Sequence, residues 1–291
     1  RRLLPRHSAP ARLPAWSGWL DEARFLGRLY VRLISIHARS TMQYKVSFLL
    51  RTAGSFGSVF LEFAVIVMLF QRFPHLAEWS LAEVALLYGI SATAFGLSEL
   101  LCGALDTGLF AELIVRGDFD RILTRPVSAL MQVIASEFSL RRLGRIAQGV
   151  GVLVLAGAML PGVWSIGKVT FLAITLMSGT AIFVAIWLLG AAYCFWTVRA
   201  TEAVNVFTYG GTTLASYPLD IFDRWARQFA LFILPLAWVS YVPALYLLDR
   251  ADRSGLPTWL PALTPAAAVI ALAVAGLVWS IGVRHYQSTG S

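Results

Sequence analysis

Between Val169 and Trp196 the chain carries no charged residue over 28 consecutive positions. An α-helix rises about 1.5 Å per residue, so a run of this length can cross the roughly 30 Å hydrocarbon core of a bilayer. No water is available there, so the backbone must satisfy its own hydrogen bonds, and a single strand cannot do so. This stretch sets the class: an all-α integral membrane protein. Composition agrees, because only 14% of residues are charged, against about 25% in soluble domains.

Four further stretches are apolar enough to span: Thr52–Phe70, Ser80–Leu105, Ile146–Val163 and Pro261–Val283. Ser80 with Glu83 three residues on has the spacing of a capping box and opens the second span. Leu109, Phe110, Leu113 and Ile114 continue that span as an amphipathic helix. The next crossing is ambiguous. Residues 229–248 are uncharged but hold Pro235 and Pro243, whereas 203–219 is uncharged and shorter. Two prolines suit a broken hairpin buried in protein better than a straight lipid-facing helix. Either assignment makes six crossings.

Ahead of the first span, residues 19–50 alternate an apolar stripe (Leu26, Leu29, Tyr30, Leu33, Ile34) with an arginine stripe (Arg24, Arg28, Arg32, Arg39). A helix of that kind lies in the membrane interface, its arginines toward anionic headgroups. Residues 1–18 hold four arginines, three prolines and no acid, and read as a disordered basic tail.

Lys and Arg placement orients the chain. With 229–248 as the fifth span, 20 of the 24 basic residues fall on one side. With a re-entrant hairpin the split is 18 against six. Both place the termini and the 106–145 loop in the cytoplasm. The net charge of +8 therefore reports topology, and nucleic acid is not an implied partner.

The central cytoplasmic loop carries GDFDRILTRP at 117–126. Asp118 can cap a short helix, Arg121 lies three residues on along the same face, and Pro126 ends it by disfavouring helical geometry at Arg125. Such a helix is either a solvated connection or a handle for another protein.

Catalytic signals are weak. Residues 162–170, GVWSIGKVT, approximate a phosphate-binding loop, but Val169 stands where a hydroxyl should be and no strand precedes it. Cys102 and Cys194 lie singly in apolar segments, and the four histidines are scattered. Two acids lie within spans, Glu62 and Glu99. A carboxylate there faces a cavity or a partner, so each is either a path-lining group favouring cations or a hydrogen-bonded packing acid. Trp187, Trp196, Trp238, Trp259 and Trp279 fall near proposed span ends and suit interfacial belts. Ala267, Ala271 and Ala275, four apart, permit close helix packing.

In this order the parts resemble the permease subunit of an ABC-2-type exporter, closest to small bacterial permeases that work in pairs. The resemblance rests on GDFDRILTRP at 117–126, YPLDIF at 217–222, ILPLAWVSYVPALYLL at 233–248 and HYQSTGS at 285–291, and covers about residues 20–291. It implies a connecting helix at 19–50 and a six-span domain at 51–291. Gly117, Asp118, Phe119, Asp120, Arg121, Ile122, Leu123 and Arg125 would form a coupling helix that docks on a separate ATPase. Tyr217, Pro218, Pro235 and Pro243 would belong to an outer re-entrant segment before span 6. The implied partners are two ABC ATPase copies, a second permease, paralogous or identical, and membrane lipid. ATP and magnesium would sit on the ATPase, with no cofactor on this chain, in a bacterial inner membrane. The substrates expected are drug-like, lipid-like or cationic amphiphilic, with Glu62 and Glu99 as candidate path residues. The rival readings, a secondary transporter or a membrane-embedded transferase, have no need of an ATPase.

Overall fold

The computed structural model describes residues 45–73, 75–125, 127–137, 142–197, 201–252 and 255–287. The expected basic tail and most of the expected connecting helix lie outside them. The first described helix, α1 (Lys45–Arg72), takes residues 45–50 unbroken into the first span.

Helix α2 (Leu81–Cys102) opens as its spacing predicts. The Ser80 backbone N–H donates to Glu83 Oε2 at 2.7 Å, and the Glu83 N–H returns to Ser80 Oγ at 3.4 Å. Its α-helical part ends at Cys102, short of Leu105, where a tighter turn (Gly103–Leu105) leads into α3 (Thr107–Val115). Short helices α4 (Asp118–Leu123) and α5 (Ala129–Ser136) follow. Then come α6 (Leu143–Met159), α7 (Ile166–Tyr193) and α8 (Thr201–Ala215). After a broken segment containing α9 (Arg224–Gln228) and α10 (Tyr241–Leu247), α11 (Thr264–His285) closes the chain. There is no strand among the described residues, only an isolated bridge between Leu76 and Trp79.

Three helical stretches among the described residues are long and apolar enough to cross a membrane: Leu81–Val115, Ile166–Tyr193 and Leu260–His285. The bent pair Arg224–Ile233 and Pro235–Leu247 makes a fourth if it is counted as one span. The chain is a multi-pass membrane protein.

Helices α2 and α6 meet backbone to backbone because glycines line their crossing. A methyl at Gly149 would stand 2.7 Å from the Thr93 backbone nitrogen, and Gly89 and Gly96 are similarly crowded by Leu153 and Ile146. Helix α11 lies along α7, and Ala268 and Ala275 are buried in that contact. Two of the expected belt tryptophans instead pack inside. Trp187 fills the space beside Phe95, and Trp279 joins a ring cluster at the α11 end. Their bulk is used where several helices converge and leave a gap too large for aliphatic side chains. Trp196 and Trp259 are exposed.

The two prolines of the ambiguous segment act differently. Leu234 is extended, the conformation that a following proline favours, and Pro235 opens a short tight turn. The segment bends there by 72°. Pro243 lies in the first turn of α10, where its missing N–H costs nothing, and does not break that helix.

The segment also returns to where it began. Asp220 precedes it and Asp252 follows it, and the Tyr241 hydroxyl lies 3.1 Å from the first and 2.5 Å from the second. A helix crossing the bundle would separate its ends by the bundle's length. The two ends of the 224–250 segment instead lie close together, with the helix between them broken at Leu234.

Candidate functional site

Two features stand out, at different levels of the bundle. The first is helix α4. Its N-cap is Gly117 in a left-handed conformation (φ 72°), so Asp118 is the first helical residue and not the cap. The physical reason is the reversal needed after α3, a backbone state that glycine adopts without strain. Asp118 pairs with Arg121 at 3.5 Å across the expected i, i+3 spacing. The helix ends at Leu123, slightly before Arg125, with the Thr124 hydroxyl donating to the Arg121 carbonyl at 2.9 Å. Gln132 of α5 then holds the exit, its amide donating to the carbonyls of Ile122 at 3.0 Å and Val127 at 2.9 Å.

Arg121 and Leu123 of α4 are exposed, as is Arg125 just beyond it, and the Arg121 side chain is 78% exposed. Phe119 points the other way and is 0% exposed. Asp120 faces Tyr286, which follows α11. Burial and the Asp120 carboxylate together push that phenol up to about 12.

The second feature is a cavity of about 430 Å³ bounded by α1, α2, the start of α6 and α8. Its polar lining comes from Glu62, Tyr88, Ser91, Arg145, Tyr209, Thr212, Thr213, Ser216 and Tyr217. Ser91 ties two walls together by donating to the Thr212 carbonyl at 3.2 Å. Glu62 is exposed on α1. Tyr209 donates to Asp106 at 3.0 Å, and Asp106 also caps α3. The α8 residues Tyr209, Thr212, Thr213 and Ser216 follow an i, i+3, i+4, i+7 pattern, a polar stripe visible in the sequence once that helix is assigned. Arg145 and Tyr88 carry no such signal, and only packing brings them to the cavity.

Glu99 does not line this cavity. It lies 3.6 Å from the Arg142 Nε and 3.9 Å from the Arg145 Nε. Arg142 is almost wholly enclosed and also meets Glu137 at 3.4 Å. Arg145 stacks its guanidinium 5.0 Å over the Phe95 ring. The two intramembrane acids thus have different settings: Glu62 is exposed at the cavity beside the Tyr88 hydroxyl, and Glu99 is held by arginines.

At the opposite end from α4, Tyr217 joins the cavity wall and Pro218 starts the turn Leu219–Ile221. Lys168, from the stretch that approximates a phosphate loop, donates to the Leu247 carbonyl at 2.8 Å and to Asp249 at 2.6 Å. It caps the C-terminus of α10, a favourable place for a cation. Cys102 and Cys194 are free and buried. Among the described residues no group of His, Cys, Asp or Glu is assembled to hold a metal.

A family model described as an ABC-2 family transporter protein matches residues 56–290. No curated protein matches the chain, and no solved structure matches it.

Proposed function

Since the chain belongs to the ABC-2 transporter family, whose members are the membrane components of transport and not themselves catalytic, we propose that it is one half of the translocation path of an ATP-driven exporter. Helix α4 is its contact with a cytoplasmic ATPase. ABC-2 permeases associate generally with ABC ATPases, and this chain requires two ATPase copies and a second permease, paralogous or identical. ATP and magnesium bind to the ATPase. The protein lies in a bacterial inner membrane with both termini in the cytoplasm and six crossings: α1, α2, α6, α7, α8 and α11. Residues 224–250 form the outer re-entrant segment.

The observation that carries this reading is the cavity at α1, α2 and α8. A carboxylate and a row of hydroxyls are expensive to expose to hydrocarbon. A second permease set against this face covers the opening and turns it into an internal path. Glu62 is the acid that acts on substrate, favouring a cationic amphiphile among drug-like and lipid-like molecules, whereas Glu99 is neutralised by its arginines. ATP binding draws two copies of α4 together and opens the path outward.

The test is capture of the protein from native membranes in mild detergent, with the co-purifying subunits identified by mass spectrometry. A soluble ATPase with a second six-span protein supports a heterodimeric permease, and an ATPase with this membrane chain alone supports a homodimer. Recovery of the chain alone, even after crosslinking, overturns the reading in favour of a secondary transporter.

A further inference from the structure

Helix α4 has six residues, far too few to hold a helix in water without tertiary support. Its one fully buried side chain is Phe119. The Phe119 ring stands 5.8 Å from Phe110 on α3, 5.2 Å from Phe195 just beyond α7, 6.4 Å from Trp279 on α11 and 5.0 Å from Tyr286 just beyond α11. These partners also touch one another: Phe110 meets Trp279 at 5.4 Å, and Phe195 meets Trp279 at 5.2 Å. Room for the cluster is built into the backbone, since a methyl at Gly282 of α11 would stand 2.5 Å from the Phe195 ring.

From this geometry we infer that Phe119 is not a docking residue but the positioning residue through which displacement of α4 moves the ends of α7 and α11. This rests on the reading of α4 as the ATPase contact. Packed rings are nearly incompressible and have two rotatable bonds each, so a push on α4 is passed on and not absorbed. The Asp118–Arg121 ion pair of α4 is solvated and compliant, and no other α4 side chain is fully enclosed among the described residues. Asp120, next in sequence, faces Tyr286 and fastens α4 to the same end of α11.

The experiment uses the captured complex reconstituted in liposomes. Its readouts are ATP hydrolysis, the amount of ATPase retained, and the ATP-dependent change in labelling of a cysteine at Thr258, opposite α4, by a membrane-impermeant maleimide. Phe119→Leu, and separately Trp279→Phe on the far side of the cluster, are expected to retain the ATPase and hydrolyse ATP within about twofold of the parent. Both are expected to reduce the ATP-dependent labelling change about tenfold, the size of an ordinary coupling between sites. Loss of bound ATPase in Phe119→Leu with no effect of Trp279→Phe would make Phe119 a docking residue and overturn the inference. A full labelling response in both variants would overturn it equally. If Arg121→Glu leaves ATPase capture intact, it is the α4 docking reading that fails, independently of the ring cluster.

Discussion

Trp79, just before α2, donates its indole N–H to Asp220 at 2.9 Å across 141 residues of sequence. Asp220 also pairs with Arg227 and lies beside the Tyr241 hydroxyl, with only 4% of its side chain exposed. This one carboxylate ties the start of α2, α9 and α10 together.

Asp220→Ala removes an enclosed charge and strands the Arg227 guanidinium and the Trp79 N–H. Breaking a buried pair from one side costs about 3–5 kcal/mol. The melting temperature in detergent is expected to fall by several degrees. Asp249→Ala is the control, because its carboxylate is 79% exposed where it meets Lys168, and its melting temperature is expected to stay near that of the parent. Equal shifts in the two variants would refute the special role of Asp220.

Gly149→Ala forces a methyl against the Thr93 backbone, which cannot swing aside as a side-chain tip can. Overpacking of this kind costs about 1–3 kcal/mol. Gly151, two residues on, has nothing within 4 Å of the equivalent position. There alanine is expected to be neutral or to stabilise by up to about 1 kcal/mol through helix propensity. Comparing the two thermal melts isolates the α2–α6 approach from propensity.

Glu62→Gln and Glu99→Gln are expected to separate function from fold. Glu62 is open to the cavity, so its variant keeps the parental melt while cells lose resistance to ethidium, a cationic dye. Glu99→Gln leaves the enclosed Arg142 with Glu137 alone, at a cost of about 1–3 kcal/mol, and its melt falls. Unaltered ethidium resistance in Glu62→Gln would remove the cation preference.

Arg121→Glu places a third acid on α4 beside Asp118 and Asp120. The side chain is solvated, so stability is expected to hold within about 0.5 kcal/mol. ATPase recovered in the capture experiment is expected to fall about tenfold or more, since like charges set against a complementary face cost several kcal/mol.

Much of the fold was legible in local pattern. Ser80 and Glu83 make their capping box, and Asp118 and Arg121 their pair, because both depend on spacing within one turn. Phe119 was legible only as a member of an exposed helix. Its inward turn depends on rings contributed from Phe110, Phe195, Trp279 and Tyr286, which no local spacing connects to it. Glu99 likewise reads as a bare intramembrane acid until α6 brings Arg142 and Arg145 against it.

By itself the sequence determined that this is a helical membrane protein. It also located the short charged helix, because hydrocarbon tolerates no unpaired backbone and few charges, and both constraints act on contiguous residues. Only the tertiary structure decided that the two ends of 224–250 meet, that Glu62 opens to a cavity while Glu99 is paired with arginines, and that Phe119 packs α4 against α11. Each of these depends on residues far apart in the chain meeting in space, and the meeting is set by helix packing, which periodicity does not encode.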